Sequence, residues 1–183
     1  DYPLTELPVF PSLIRDIAQL REIGINILIV TGARERIDDV LERYGVENIM
    51  HGPVRISSPD AMPFVKMAAF DVANRIMTLL TANNISAVIG NWVRARTLGV
   101  VDGVDYMSTG WVERILTDQL NTLLEDGIVP IFPCVGWSSS GEPYNVSSNE
   151  LAGKLAQAVG ASKLFIIQNG KKDWPSRMTV SEA

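Results

Sequence analysis

Segments of helical period alternate with short apolar runs along most of this chain, and that order restricts the fold more than any single motif does. Ser12 to Ile23 places Leu13, Ile17 and Leu20 on one helical face, Gly24 ends it, and Ile25 to Val30 follows as a strand. Arg34 to Tyr44 carries Ile37, Val40 and Leu41 at helical spacing and is closed by Gly45. A longer helix from about Asp60 to Thr81 is expected to bury Phe64, Ala68, Val72, Ile76 and Leu79, with Asn83 and Asn84 ahead of the strand Ser86 to Ile89. Leu116 to Glu125 is a further helix stopped at Gly127, and Leu164 to Gln168 reads as a last strand. Such alternation predicts an α/β fold, a three-layer sandwich around a mostly parallel sheet.

One segment departs from the alternation. Asn91 to Ile115 has period-two stretches punctuated by Asp102-Gly103 and Thr109-Gly110, which reads as β-hairpins inserted over the sheet. Loops leaving the carboxyl ends of strands gather round the ligand in open α/β sheets, so an insertion here is placed to form a lid or one wall of a site.

Two polar junctions mark where ligand chemistry would sit. In the first, Val129 to Val135 reads as one buried strand, Ser138 to Gly141 as a turn, and Ser147 with Glu150 as a capping box opening a helix with Leu151, Leu155 and Ala158 on one face. Asn145, Ser147, Ser148 and Asn149 stand just ahead of that helix, where free N–H groups and the helix dipole favour a carboxylate or phosphate; they serve equally well as plain capping residues. In the second, the strand ending at Val30 feeds Thr31, Gly32, Ala33 and Arg34 into a helix. The spacing is neither that of a P-loop nor that of a dinucleotide fingerprint, so Gly32 makes either a ligand contact or simply a tight turn.

Arg55 lies in a loop, followed by Ser57, Ser58 and Pro59 at a helix start. An arginine there clamps a carboxylate through two parallel N–H bonds, or remains a solvated surface charge. His51 is the only histidine and Cys134 the only cysteine, and both read as structural. Asp102 and Asp105 read as turn formers rather than an acid pair. No metal site is expected.

At 183 residues the chain is long enough for one domain and too short for two ordinary ones. A net charge of -5 argues against a nucleic-acid binder. A single cysteine excludes an intrachain disulfide and fits a reducing compartment; with no visible signal peptide or membrane span, the cytoplasm is the expected location. Both ends are expected to be incomplete. Asp1 to Pro11 lacks a strand pattern, yet Tyr2, Leu4, Leu7, Val9 and Phe10 are apolar, which predicts self-association or a segment folded back over its own sheet. The tail NGKKDWPSRMTVSEA reads as a hairpin and the start of a helix at Thr179.

These junctions together resemble the amino acid kinase family, and within it the N-terminal domain of bacterial N-acetylglutamate synthases more closely than N-acetylglutamate kinases. The residues that carry the resemblance are ILIVTGARERID at 27–38, PVRISS at 53–58, GNWVRARTLGVVDGVDYMSTGWVERI at 90–115, DGIVPIFPCVGWSSSGEPYNVSSNELA at 126–152 and RMTVSEA at 177–183. The resemblance implies an amino acid or acylamino-acid ligand over Gly32, Ala33, Arg34, Arg55, Asn145 and Ser147, with Arg55 on the ligand's α-carboxylate and Asn145 lining the same pocket. It places the kinases' catalytic aspartate on Asn149, an amide without the charge that phosphoryl transfer needs. It therefore implies a regulatory and oligomerising domain, with arginine as an effector and no cofactor of its own. Acetyl-CoA would serve a separate acetyltransferase domain absent from this chain. The alternatives are a working N-acetylglutamate or related amino acid kinase, and a non-catalytic amino-acid-binding module.

Overall fold

A computed structural model describes residues 2–167. Gln168 and the tail read above as a hairpin and helix lie outside the described residues. A 3-10 turn at Tyr2–Glu6 leads into α1 (Phe10–Glu22), β1 (Ile29–Val30) and α2 (Arg34–Arg43). A hairpin follows, β2 (Ile49–His51) and β3 (Val54–Ile56), then the long α3 (Met62–Thr81) and β4 (Ala87–Ile89). The insertion contains β5 (Val93–Thr97), β6 (Val100–Val101), β7 (Val104–Asp105) and β8 (Gly110–Ile115). The described part closes with α4 (Thr117–Glu125), β9 (Val129–Phe132), β10 (Val135–Trp137), β11 (Pro143–Asn145) and α5 (Ser148–Ala158).

A parallel three-stranded sheet, ordered β1-β9-β4, occupies the middle layer. Strand alternation sorts its side chains. Ile29, Ile89, Val129 and Ile131 pack with Phe10 and Ile14 of α1 and with Ala73, Ile76 and Leu80 of α3. Val30, Val88 and Phe132 pack on the other side with Leu120 of α4 and with Leu151 and Leu155 of α5. This is the expected α/β sandwich. The first four helices end where the sequence placed a stop; after α1, the N–H of Ile25 bonds the carbonyl of Leu20 and that of Gly24 bonds Arg21, with Gly24 at φ 85°.

The expected strand Val129 to Val135 is two strands in two sheets. The chain leaves the parallel sheet after Phe132, bends at Pro133, whose carbonyl accepts the Val135 N–H at 2.8 Å, and enters a second sheet, ordered β11-β10-β5-β8. The hairpin insertion is present, with Asp102 and Gly103 both at positive φ (51° and 80°) between β6 and β7. Thr109-Gly110 is not a turn, because Gly110 begins β8.

Other boundaries shift. Strand pairing before α2 is confined to Ile29–Val30, and residues 164–167 pair with nothing among the described residues. Leu20 and Ala158 are exposed rather than core, and Val65 and Leu80 replace Phe64 and Leu79 as the deeply buried residues of α3. Most of the apolar N-terminal residues fold back on the chain itself: Leu4 and Phe10 are buried, Leu7 is partly buried, and Tyr2 lies against the guanidinium groups of Arg36 and Arg75. Val9 alone of the five stays largely exposed, at 61%.

Candidate functional site

The site is built where β1 and β9 end. Thr31, the first residue past β1, is buried, and its N–H donates to the carbonyl of Phe132 at 2.9 Å, which ties the Thr31–Arg34 loop to the end of β9. Gly32 and Ala33 are buried behind it, while Arg34 opens α2 and is exposed. Cys134 packs in one cluster with Ala33, Ile37 and Val135. Burial pushes its thiol up to about 11, with the Ala33 backbone and the Arg55 guanidinium drawing it partly back. A thiol so shifted is protonated near neutrality and no nucleophile.

Arg55 is on β3, not in a loop, and it is buried rather than solvated. Its Nη2 donates to Asp38 Oδ1 at 2.9 Å and to the Arg34 carbonyl at 3.3 Å, and its Nη1 donates to Asn48 Oδ1. A buried arginine demands such partners, since an unpaired guanidinium out of water is strongly destabilising.

Two residues on, and so on the same side of the extended chain, Ser57 is fully buried. Its N–H donates to Thr109 Oγ1 at 2.8 Å, and Thr109 Oγ1 in turn donates to the Arg55 carbonyl at 2.6 Å. Asn145 Nδ2 donates to Ser57 Oγ at 3.0 Å, and its own N–H donates to the Ser108 carbonyl. The insertion thus forms a wall of the site. It is fastened again where Tyr106 OH and His51 Nδ1 share a hydrogen bond of 2.7 Å. Asp105 acts locally, accepting the Met107 N–H at 2.9 Å.

Ser147 caps α5, accepting the Glu150 N–H at 3.4 Å, and is exposed. The other half of the expected capping box is not made. Glu150 turns to β8 instead, where its Oε1 accepts the Val112 N–H at 3.1 Å and meets Lys154 Nζ at 3.1 Å. Lys154 also donates to the Val112 carbonyl. With Glu150 engaged and Asn149 exposed, the start of α5 presents an amide and N–H groups but no free carboxylate.

The six residues singled out from sequence therefore fall into a connected region. Gly32, Ala33 and Arg34 join Arg55 through the Arg34 carbonyl; Asn145 joins the Arg55 strand through Ser57; Ser147 follows two residues later. Sequence reasoning missed Asp38, Asn48 and Thr109, and only Thr109 gave a signal, misread as a turn. The arrangement offers hydrogen bonds and one buried positive charge, which suits binding rather than covalent chemistry. Among the described residues no cluster of His, Cys, Asp and Glu could hold a metal ion. A groove of about 220 Å³ between α2 and α3, lined by Arg36, Val40, Arg43, Tyr44, Met67, Ala68 and Asp71, shares none of these residues.

Residues 4–170 match the amino acid kinase family. The amino-acid acetyltransferase of Pasteurella multocida is 36% identical over 164 residues, covering 86% of this chain and 37% of that protein. The N-acetylglutamate synthase of Neisseria gonorrhoeae, complexed with coenzyme A and N-acetyl-glutamate, superposes with a TM-score of 0.77 at 25% identity, over 86% of this chain and 37% of that one. The same enzyme with coenzyme A and L-arginine gives 0.78 at 24% identity, over 87% and 39%, a likeness of fold. The chain thus spans well under half the length of these relatives.

Proposed function

The chain belongs to the amino acid kinase family, and from that premise we propose that it is the kinase-like domain of an N-acetylglutamate synthase, which makes N-acetyl-L-glutamate from acetyl-CoA and L-glutamate in the first step of arginine biosynthesis. In this reading the domain is regulatory and oligomerising. Acetyl transfer belongs to sequence outside these 183 residues, and no residue here is assigned to acetyl-CoA. The cleft at Gly32, Ala33, Arg34, Arg55, Asn145 and Ser147 takes an amino acid or acylamino acid, with arginine as an effector. The proposed location is the cytoplasm; no described helix is long and apolar enough to cross a membrane.

The observation that carries this reading is Glu150 drawn off to Val112 and Lys154, beside Asn149 at the position the resemblance gives to the kinases' aspartate. Phosphoryl transfer rests on fixed charge and positioning, and neither residue supplies that charge here. Likeness to an amino-acid acetyltransferase supports the other half. Self-association rests chiefly on the family resemblance.

The test runs two assays on the full-length protein. Coenzyme A release from acetyl-CoA is expected to depend on L-glutamate and to change when L-arginine is added. ADP release from ATP and magnesium with N-acetylglutamate is expected to be absent. Substrate-dependent ADP release at about 1–100 per second, the ordinary range for kinases, would overturn the proposal in favour of a working kinase.

A further inference from the structure

The buried positive charge of Arg55 is already answered from within the chain. Asp38 Oδ1 accepts from Arg55 Nη2 at 2.9 Å, and Asn48 Nδ2 donates to that same oxygen at 2.6 Å, so the carboxylate is held in place from both sides. The ends of this ion pair differ in freedom. The Arg55 side chain is 6% exposed and fixed on a strand, whereas the Asp38 side chain is 44% exposed on helix α2.

We propose that Asp38 is a built-in competitor for the carboxylate of the ligand, which binds Arg55 by exchange as Asp38 swings out into water. This rests on the reading of the Arg55 cleft as a carboxylate site and adds how that site is controlled. Removing Asp38 before a ligand arrives would strand a buried guanidinium, which is costly. Exchanging one carboxylate for another keeps the charge balanced throughout, and the released Asp38 gains hydration. A neutral ligand cannot make the exchange, because it offers no charge to replace the one withdrawn. Asp38 therefore keeps the Arg55 guanidinium satisfied until a ligand arrives and lowers its affinity for carboxylates.

Calorimetric titration of the full-length protein with N-acetyl-L-glutamate, and with its doubly amidated analogue that has no carboxylate, tests this on Asp38→Asn and Arg55→Lys. Asparagine keeps an oxygen for Arg55 Nη2 and removes only the charge. Asp38→Asn is expected to tighten N-acetylglutamate binding about tenfold, the size of one charge-assisted hydrogen bond, and to leave the amide unchanged. Arg55→Lys should weaken the carboxylate ligand. If Arg55→Lys weakens binding while Asp38→Asn leaves it equal or weaker, exchange is wrong and the carboxylate site stands. If N-acetylglutamate does not bind, or binds equally well to Arg55→Lys, both readings fail. A crystal structure of the unmutated protein with this ligand at Arg55 is the check that needs no variant: Asp38 still within about 3.5 Å of Nη2 would overturn the exchange, and Asp38 turned outward would support it.

Discussion

In the parallel sheet every residue of the central strand β9 is buried and both faces meet helices, so that part of the molecule is held by apolar area. Around β3 the interior is of another kind. Arg55, Ser57 and Thr109 are buried together and answer one another, and no buried side-chain nitrogen or oxygen among the described residues lacks a partner. Apolar packing tolerates any side chain of suitable volume, whereas a buried polar seam tolerates only groups that complete its hydrogen bonds. The difference teaches where geometry is being specified. The parallel sheet fixes where strands lie, and the polar seam fixes how the β2–β3 hairpin, the insertion and β11 stand relative to one another.

Mutations in the two regions should accordingly fail in different ways. The largest effect is expected in the apolar sheet: Ile131→Ala, at a side chain with no exposure, should lower unfolding stability by about 2–5 kcal/mol. Urea denaturation reads this directly, and a midpoint that hardly moves would mean the sheet is not held by area. In the seam, Thr109→Val keeps shape and removes one hydroxyl that both donates and accepts, leaving the Ser57 N–H and the Arg55 carbonyl unpaired. A loss of about 1–3 kcal/mol is expected, accompanied by faster amide exchange at Ser57. Thr109→Ser, which restores the hydroxyl, should recover most of it; equal loss in both variants would assign the effect to packing and dissolve the contrast. The smallest effect belongs to the exposed margin. Ser147→Ala removes a cap whose bond is long at 3.4 Å, so a change of about 0.5–1 kcal/mol is expected. A loss approaching that of Thr109→Val would show that the start of α5 is part of the seam rather than its rim.

Much of the fold was legible because its signals are local. The apolar spacing in α2, the stops at Gly24, Gly45 and Gly127, and the Asp102-Gly103 turn each act within a few residues, and each stands where the sequence put it. The failures have a shared cause. A continuous apolar run cannot show that Pro133 divides it between two sheets, since both halves are buried. Glu150 sits three residues after Ser147 as a capping box requires, yet a strand edge at Val112 offered it a better partner 38 residues away.

The candidate site divides along the same line. From the sequence alone came the α/β order, the two junctions at Thr31–Arg34 and Asn145–Ser147, and Arg55 as either a carboxylate clamp or a solvated charge, the first being what the family resemblance implies. Tertiary structure alone decided what Arg55 meets: Asp38, 17 residues earlier, and Thr109, which stands 54 residues later and binds its carbonyl. Helix caps and turns are bonds between near neighbours and leave a spacing in the sequence. A buried charge is satisfied by whatever group the fold carries to it, and no spacing records which carboxylate that will be.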